Sequence, residues 1–140
     1  MSLSLAEARA LHRSVPVIDL HADTPMLSTA VGYRFDNCHR RRVPKRGNYA
    51  AHVDAPRMRE GGVSGQIFGM WSLPFVDALA PKTIHRQLDT VDQWIDESKG
   101  ELVRCFTGQD IREAHRVGKL ATLTGIEGGQ ALRGRPEAVE

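Results

Sequence analysis

The chain has 140 residues, enough for one hydrophobic core and one ordinary domain. Hydrophobic residues make up 41% and charged residues 26%, a balance that excludes a disordered or fibrous chain. A formal net charge of +2 is too small to argue for nucleic acid, and the one dense basic run, His39 to Arg46, carries no recognition motif and reads as a solvated loop.

Cys38 and Cys105 form no Cys-x-x-Cys pair and are too few for a disulfide framework, which suits a reducing compartment. The first residues, Met1-Ser2-Leu3-Ser4-Leu5-Ala6-Glu7, have neither the apolar core of a signal peptide nor the length of a membrane span. The expectation is a soluble cytoplasmic protein.

In chain order, Ser4 and Glu7 have the spacing of a reciprocal helix cap, so a short helix is predicted from about Leu5 to His12. Val15 to Leu20 is apolar and β-branched, which predicts a buried strand ending at His21. Ser28 to Ala51 mixes glycine, proline, asparagine and arginine without periodicity and reads as a long loop. Asp54 is placed to cap a helix reaching Glu60, with Pro56 in its first turn and Gly61-Gly62 at its end. Val63 to Trp71 predicts a second strand. Ile84, Leu88, Val91 and Ile95 recur at helical spacing and predict a long helix ending at Lys99-Gly100. Asp110 to Glu113 repeats the capping spacing before a helix that Gly118 ends, and Leu120 to Ile126 predicts a third strand. This alternation is the rhythm of a parallel α/β sheet covered by helices.

His21 and Asp23 sit two apart at the carboxyl end of the first strand, where the side chains of an extended chain leave on one side and can share a metal ion. A His-x-Asp pair alone is weak. Its place at a strand's carboxyl end, where parallel α/β barrels carry their metal and catalytic groups, raises it. Glu127 passes the same test after the third strand, but a glutamate there also suits the dipole of a following helix. Spacing does not separate those two readings. His52-Val53-Asp54 is a second His-x-Asp; it precedes a strand, and Asp54 already has a capping role, so no metal is assigned to it. His12, His39, His85 and His115 are expected to be exposed, and Phe68, Trp71 and Trp94 to be packing residues.

The segment Val17-Ile18-Asp19-Leu20-His21-Ala22-Asp23-Thr24-Pro25 resembles the opening metal-binding strand of the membrane (renal) dipeptidase family. The stretch from His52 to Trp71 (HVDAPRMREGGVSGQIFGMW) resembles a longer motif peculiar to that family, and Gly125-Ile126-Glu127-Gly128-Gly129 resembles its third. The resemblance covers essentially the whole chain. It implies a (β/α)8 TIM barrel of the metal-dependent hydrolase type, of which residues 1–140 would form the N-terminal, incomplete part of a single domain. It also implies two zinc ions, with His21 and Asp23 binding one and Glu127 bridging both, and hydrolysis of a dipeptide substrate by a metal-activated water.

A whole barrel takes about 250 residues, and the family's second zinc draws two histidines from motifs beyond the one that Glu127 matches. The expectation is therefore a partly formed site and little activity for this chain alone. One histidine and two carboxylates remain adequate for a single zinc, and suit manganese or iron as well. The competing reading is a non-catalytic interaction module that self-associates or pairs with a complementary chain. A different hydrolase of the wider His-x-Asp barrel group is a third, against which the long second motif argues.

Overall fold

In the computed structural model, which describes residues 3–39, 53–73 and 77–135, the order of elements follows the sequence pattern with one added helix and one added strand, besides short 3-10 turns at Asp77–Leu79 and Gln130–Leu132. Helix α1 (Leu5–Ser14) begins at the expected reciprocal cap between Ser4 and Glu7. Strand β1 (Ile18–Ala22) starts three residues later than its apolar run, after Pro16. Helix α2 (Thr24–Val31), with Pro25 in its first turn, takes the first residues of the stretch read as loop, and Gly32 ends it at φ 70°. Residues 40–51 of that stretch, with most of the basic run, and His52 after it lie outside the described residues.

Helix α3 (Ala55–Gly61) is capped by Asp54 as expected, and Gly62 closes it at φ 76°. Strand β2 (Gly65–Met70) leads to helix α4 (Ala80–Glu97), whose buried face is Ile84, Gln87 and Val91. Strand β3 (Leu102–Arg104) is the second addition: three residues are too few to show a period. Helix α5 (Gly108–Arg116) corrects the expected cap. Thr107 performs it, its hydroxyl accepting from the Asp110 amide at 3.2 Å while the Asp110 carboxylate accepts from the Thr107 amide at 2.9 Å. Two overlapping boxes share Asp110, and the earlier one closes the helix. Strand β4 (Leu120–Ile126) has the bounds read from sequence.

All strands are parallel, in the order β1-β2-β4-β3. The steps from β1 to β2 and from β2 to β3 run the same way across the sheet, and the step from β3 to β4 runs back. Right-handed crossovers then place α5 on the face opposite α3 and α4. The core divides accordingly. Phe68, Met70 and Leu120 pack with Met58, Ile84 and Val91 on one face, and Ala121, the next residue along β4, packs with Cys105 and Ala114 on the other. On the first face Phe35 stacks on Trp94 and both meet Phe68 edge-on, at centroid distances of 5.0–5.4 Å, so Phe68 and Trp94 are packing residues. Trp71 is half-buried outside that cluster, its backbone amide and carbonyl both bonded by the Gln87 side chain.

The β1–β2 ladder contains a bulge. Asp19 pairs with Gln66, but Ala22 pairs with Phe68, so two residues of β1 stand against Ile67 alone.

Candidate metal centre

His21 lies just inside the carboxyl end of β1 and Glu127 just past that of β4. The Glu127 amide donates to the Met70 carbonyl at 3.0 Å, which extends the β2–β4 ladder by one residue and puts Glu127 on the side of the sheet shared by Gly125 and Gly69. Asp23 follows β1, but the extended geometry expected there is absent. The strand has ended, and Asp23 is the N-terminal flanking residue of α2 at φ −85°, ψ 25°. Its carboxylate still meets His21, now because the chain turns into the helix.

One ligand atom from each of His21, Asp23 and Glu127 falls within 4.8 Å of the others. His21 Nε2 is 3.3 Å from Asp23 Oδ1 and 3.3 Å from Glu127 Oε2. Two ligand atoms at ordinary zinc distances, about 2.0–2.2 Å from a tetrahedral ion, stand roughly 3.4 Å apart. Asp23 Oδ1 is buried and makes no hydrogen bond among the described residues, an expense a cation would remove. The three side chains are 43–53% exposed, so the outward side of the cluster is open to water. The donor set, spacing and orphaned oxygen fit a divalent metal.

Sequence reading missed the floor of the site. A Cβ at Gly69 would lie 2.7 Å from His21 Cε1 and 3.0 Å from Asp23 Oδ1, so β2 passes beneath the imidazole only as glycine. The signal was present as a glycine inside a strand, which marks close approach.

The remaining candidates fall elsewhere. Asp54 is fully buried and accepts from the amides of His39 and Arg57 at 2.8 Å each and from Arg57 Nε at 2.6 Å, away from the cluster. His12 and His85 are exposed as expected. His39 and His115 are not: His39 stacks on Tyr33 with ring centroids 4.1 Å apart, and His115 Nδ1 is 2.9 Å from the Ser64 hydroxyl, across the sheet's amino end. No described helix is long and apolar enough to cross a membrane.

Several solved structures are similar to this chain, three of them peptidases or probable peptidases. Dipeptidase AC, a metallo peptidase of family M19, is 22% identical with a TM-score of 0.62 over 84% of this chain and 38% of its own. A metallo peptidase from Rhodobacter sphaeroides, liganded with a phosphinate mimic of the dipeptide L-Ala-D-Ala, is 21% identical with a TM-score of 0.63 over 84% and 39%. The probable dipeptidase PvdM from Pseudomonas aeruginosa is 14% identical with a TM-score of 0.74 over 91% and 32%. At these identities the likeness is one of fold: the chain has a parallel α/β, TIM-barrel-like framework and spans about a third to two fifths of those chains' length. Residues 5–140 match the family described as membrane dipeptidase, peptidase family M19, and to that family the chain belongs.

Proposed function

We propose that His21, Asp23 and Glu127 hold one divalent ion, zinc in the first instance, and that the chain carries this site for a metallo-dipeptidase. The observation that supports it best is His21 Nε2 standing 3.3 Å from both Asp23 Oδ1 and Glu127 Oε2, the first a buried oxygen that makes no hydrogen bond among the described residues. When bound, such an ion lowers the pKa of a water molecule and polarises a carbonyl, the chemistry that peptide hydrolysis needs. The chain's own groups set the conditions. His21 would bind the ion through Nε2, the ring nitrogen that faces both carboxylates. Asp23 and Glu127 bring two negative charges, which balance a dication. The backbone of Asp23 is set by the start of α2 and that of Glu127 by its amide hydrogen bond to the Met70 carbonyl, so two separate elements bring the carboxylates to His21. A dipeptide is the proposed substrate class, on the strength of the family and of the dipeptide mimic held by the Rhodobacter sphaeroides structure.

Calorimetric titration of the 140-residue chain with zinc tests the site. Substituting His21→Ala, Asp23→Asn or Glu127→Gln should each weaken binding by roughly tenfold or more, while His52→Ala leaves it unchanged. Equal loss in His52→Ala and His21→Ala would sink the assignment.

A further inference from the structure

We infer that Asp19 is a positioning residue for His21: its carboxylate holds the bulge in β1 that turns the imidazole onto the metal-binding side of the sheet. The argument is one of parity. Residues paired across parallel strands project to the same side, and successive residues alternate. Asp19 pairs with Gln66. In an unbroken ladder Leu20 would then pair with Ile67, His21 with Phe68 and Ala22 with Gly69. His21 would share the side of Phe68, which is 1% exposed in the helix-covered core. Two residues against Ile67 shift the pairing, so Ala22 meets Phe68 and packs against that core instead. His21 is thereby transferred to the side of Gly69, where its ring lies over the glycine and within 3.3 Å of Glu127.

A bulge withdraws an amide from the ladder, and that amide needs another acceptor. Asp19 supplies it. The His21 amide donates to Asp19 Oδ1 at 2.9 Å, a local turn closed by an aspartate on the residue two further on. The Asp19 carbonyl is in turn approached by the buried Gln66 amide at 3.4 Å. The Asp19 carboxylate bonds the His21 amide, and among the described residues no hydrogen bond joins it to Asp23 or Glu127, so its effect on the site passes through His21. Only the capacity to accept at Oδ1 is required, and asparagine retains it.

The part of this inference that concerns metal rests on the assignment of His21, Asp23 and Glu127, so the experiment has two arms on the full 140-residue chain. In metal-free protein, Asp19→Ala should remove the hydrogen-exchange protection of the His21 amide and shift the His21 ring resonances, and Asp19→Asn should keep both near wild type. In the second arm, Asp19→Ala should weaken zinc about 10–100-fold and alter the visible spectrum of the cobalt-substituted site, with Asp19→Asn restoring both. A His21 amide and ring unchanged in Asp19→Ala would overturn the inference, whatever the metal arm shows. Failure of the wild-type chain to bind zinc would sink the metal assignment, while the first arm still decides the role of Asp19.

Discussion

His21 and Asp23 show how a residue pair can be read from sequence for a reason the structure replaces. Their two-residue spacing suggested one extended strand with both side chains on one side. The strand stops at Ala22, and Asp23 reaches the imidazole from a helix N-terminus. Their type and order were legible because donors of this kind suit the proposed metal. Their geometry was not, because a bulge depends on which residues of another strand stand opposite. Gly69 is the residue on which that geometry leans most directly. In Gly69→Ala, the new methyl would stand 2.7 Å from His21 Cε1, and the half-exposed ring can relieve that contact only by swinging outward from Asp23 and Glu127. The expected result is a roughly tenfold or greater loss of zinc affinity with circular dichroism unchanged, since displacement of about 1 Å is enough to spoil a preorganised site. Undiminished affinity in Gly69→Ala would show that the ring does not rest on β2.

The elements nearest the site are held by polar side chains that cross between them, and these were the least legible features. Asp54 was readable as the cap of α3, because the cap partner is three residues away. Its second bond, from the His39 amide fifteen residues earlier, pins the segment after α2 onto α3 and was invisible to local spacing. Gln87 similarly lay among the polar positions of α4 yet is fully buried, because it bonds both backbone groups of Trp71 just beyond β2. Asp54 makes a testable pH element. Burial pushes its carboxyl up, but the amides of His39 and Arg57 and the Arg57 guanidinium outweigh burial and hold it below the ordinary value of 3.8. A carboxyl depressed in the folded state contributes stability that is fully present above its unfolded value and is lost as pH falls through the folded one. Asp54→Asn keeps an oxygen for the cap and removes the charge. In urea unfolding it should cost about 1–3 kcal/mol near neutral pH, the range for a charged pair that is only partly shielded. The gap to wild type should close as pH drops below about 3.8. A gap that persists unchanged in acid would show that the charge of Asp54 is not what holds the two elements together.

For the molecule as a whole, the parallel sheet was legible from alternating strand and helix patterns, but the order β1-β2-β4-β3 was not. That order depends on β3, which Leu102, Val103 and Arg104 are too short to announce. It has a consequence for the two edges. Strand β3 covers only the first half of β4, pairing as far as Thr122, and β1 lies at the other edge with nothing beside it among the described residues. Leu20 on β1 and Ile126 on β4 are 72% and 55% exposed, both toward the carboxyl ends of their strands. An unpaired strand carrying an exposed leucine is a template for another chain, and a second copy is the partner always present. The bulge works against this: the Asp19 carboxylate has already taken the His21 amide, so one donor fewer is offered at β1 and its line is bent. The balance predicts weak, reversible self-association rather than a fixed oligomer. Sedimentation of the 140-residue chain over a roughly hundredfold range of concentration should show an average mass that rises with concentration. Leu20→Lys, which places a charge on the edge without replacing a donor of the proposed metal site, should hold the chain at monomer mass and leave zinc affinity unchanged. A wild-type chain that stays monomeric across that range would show that the β1 edge needs no partner, and association undiminished by Leu20→Lys would move the contact to another surface.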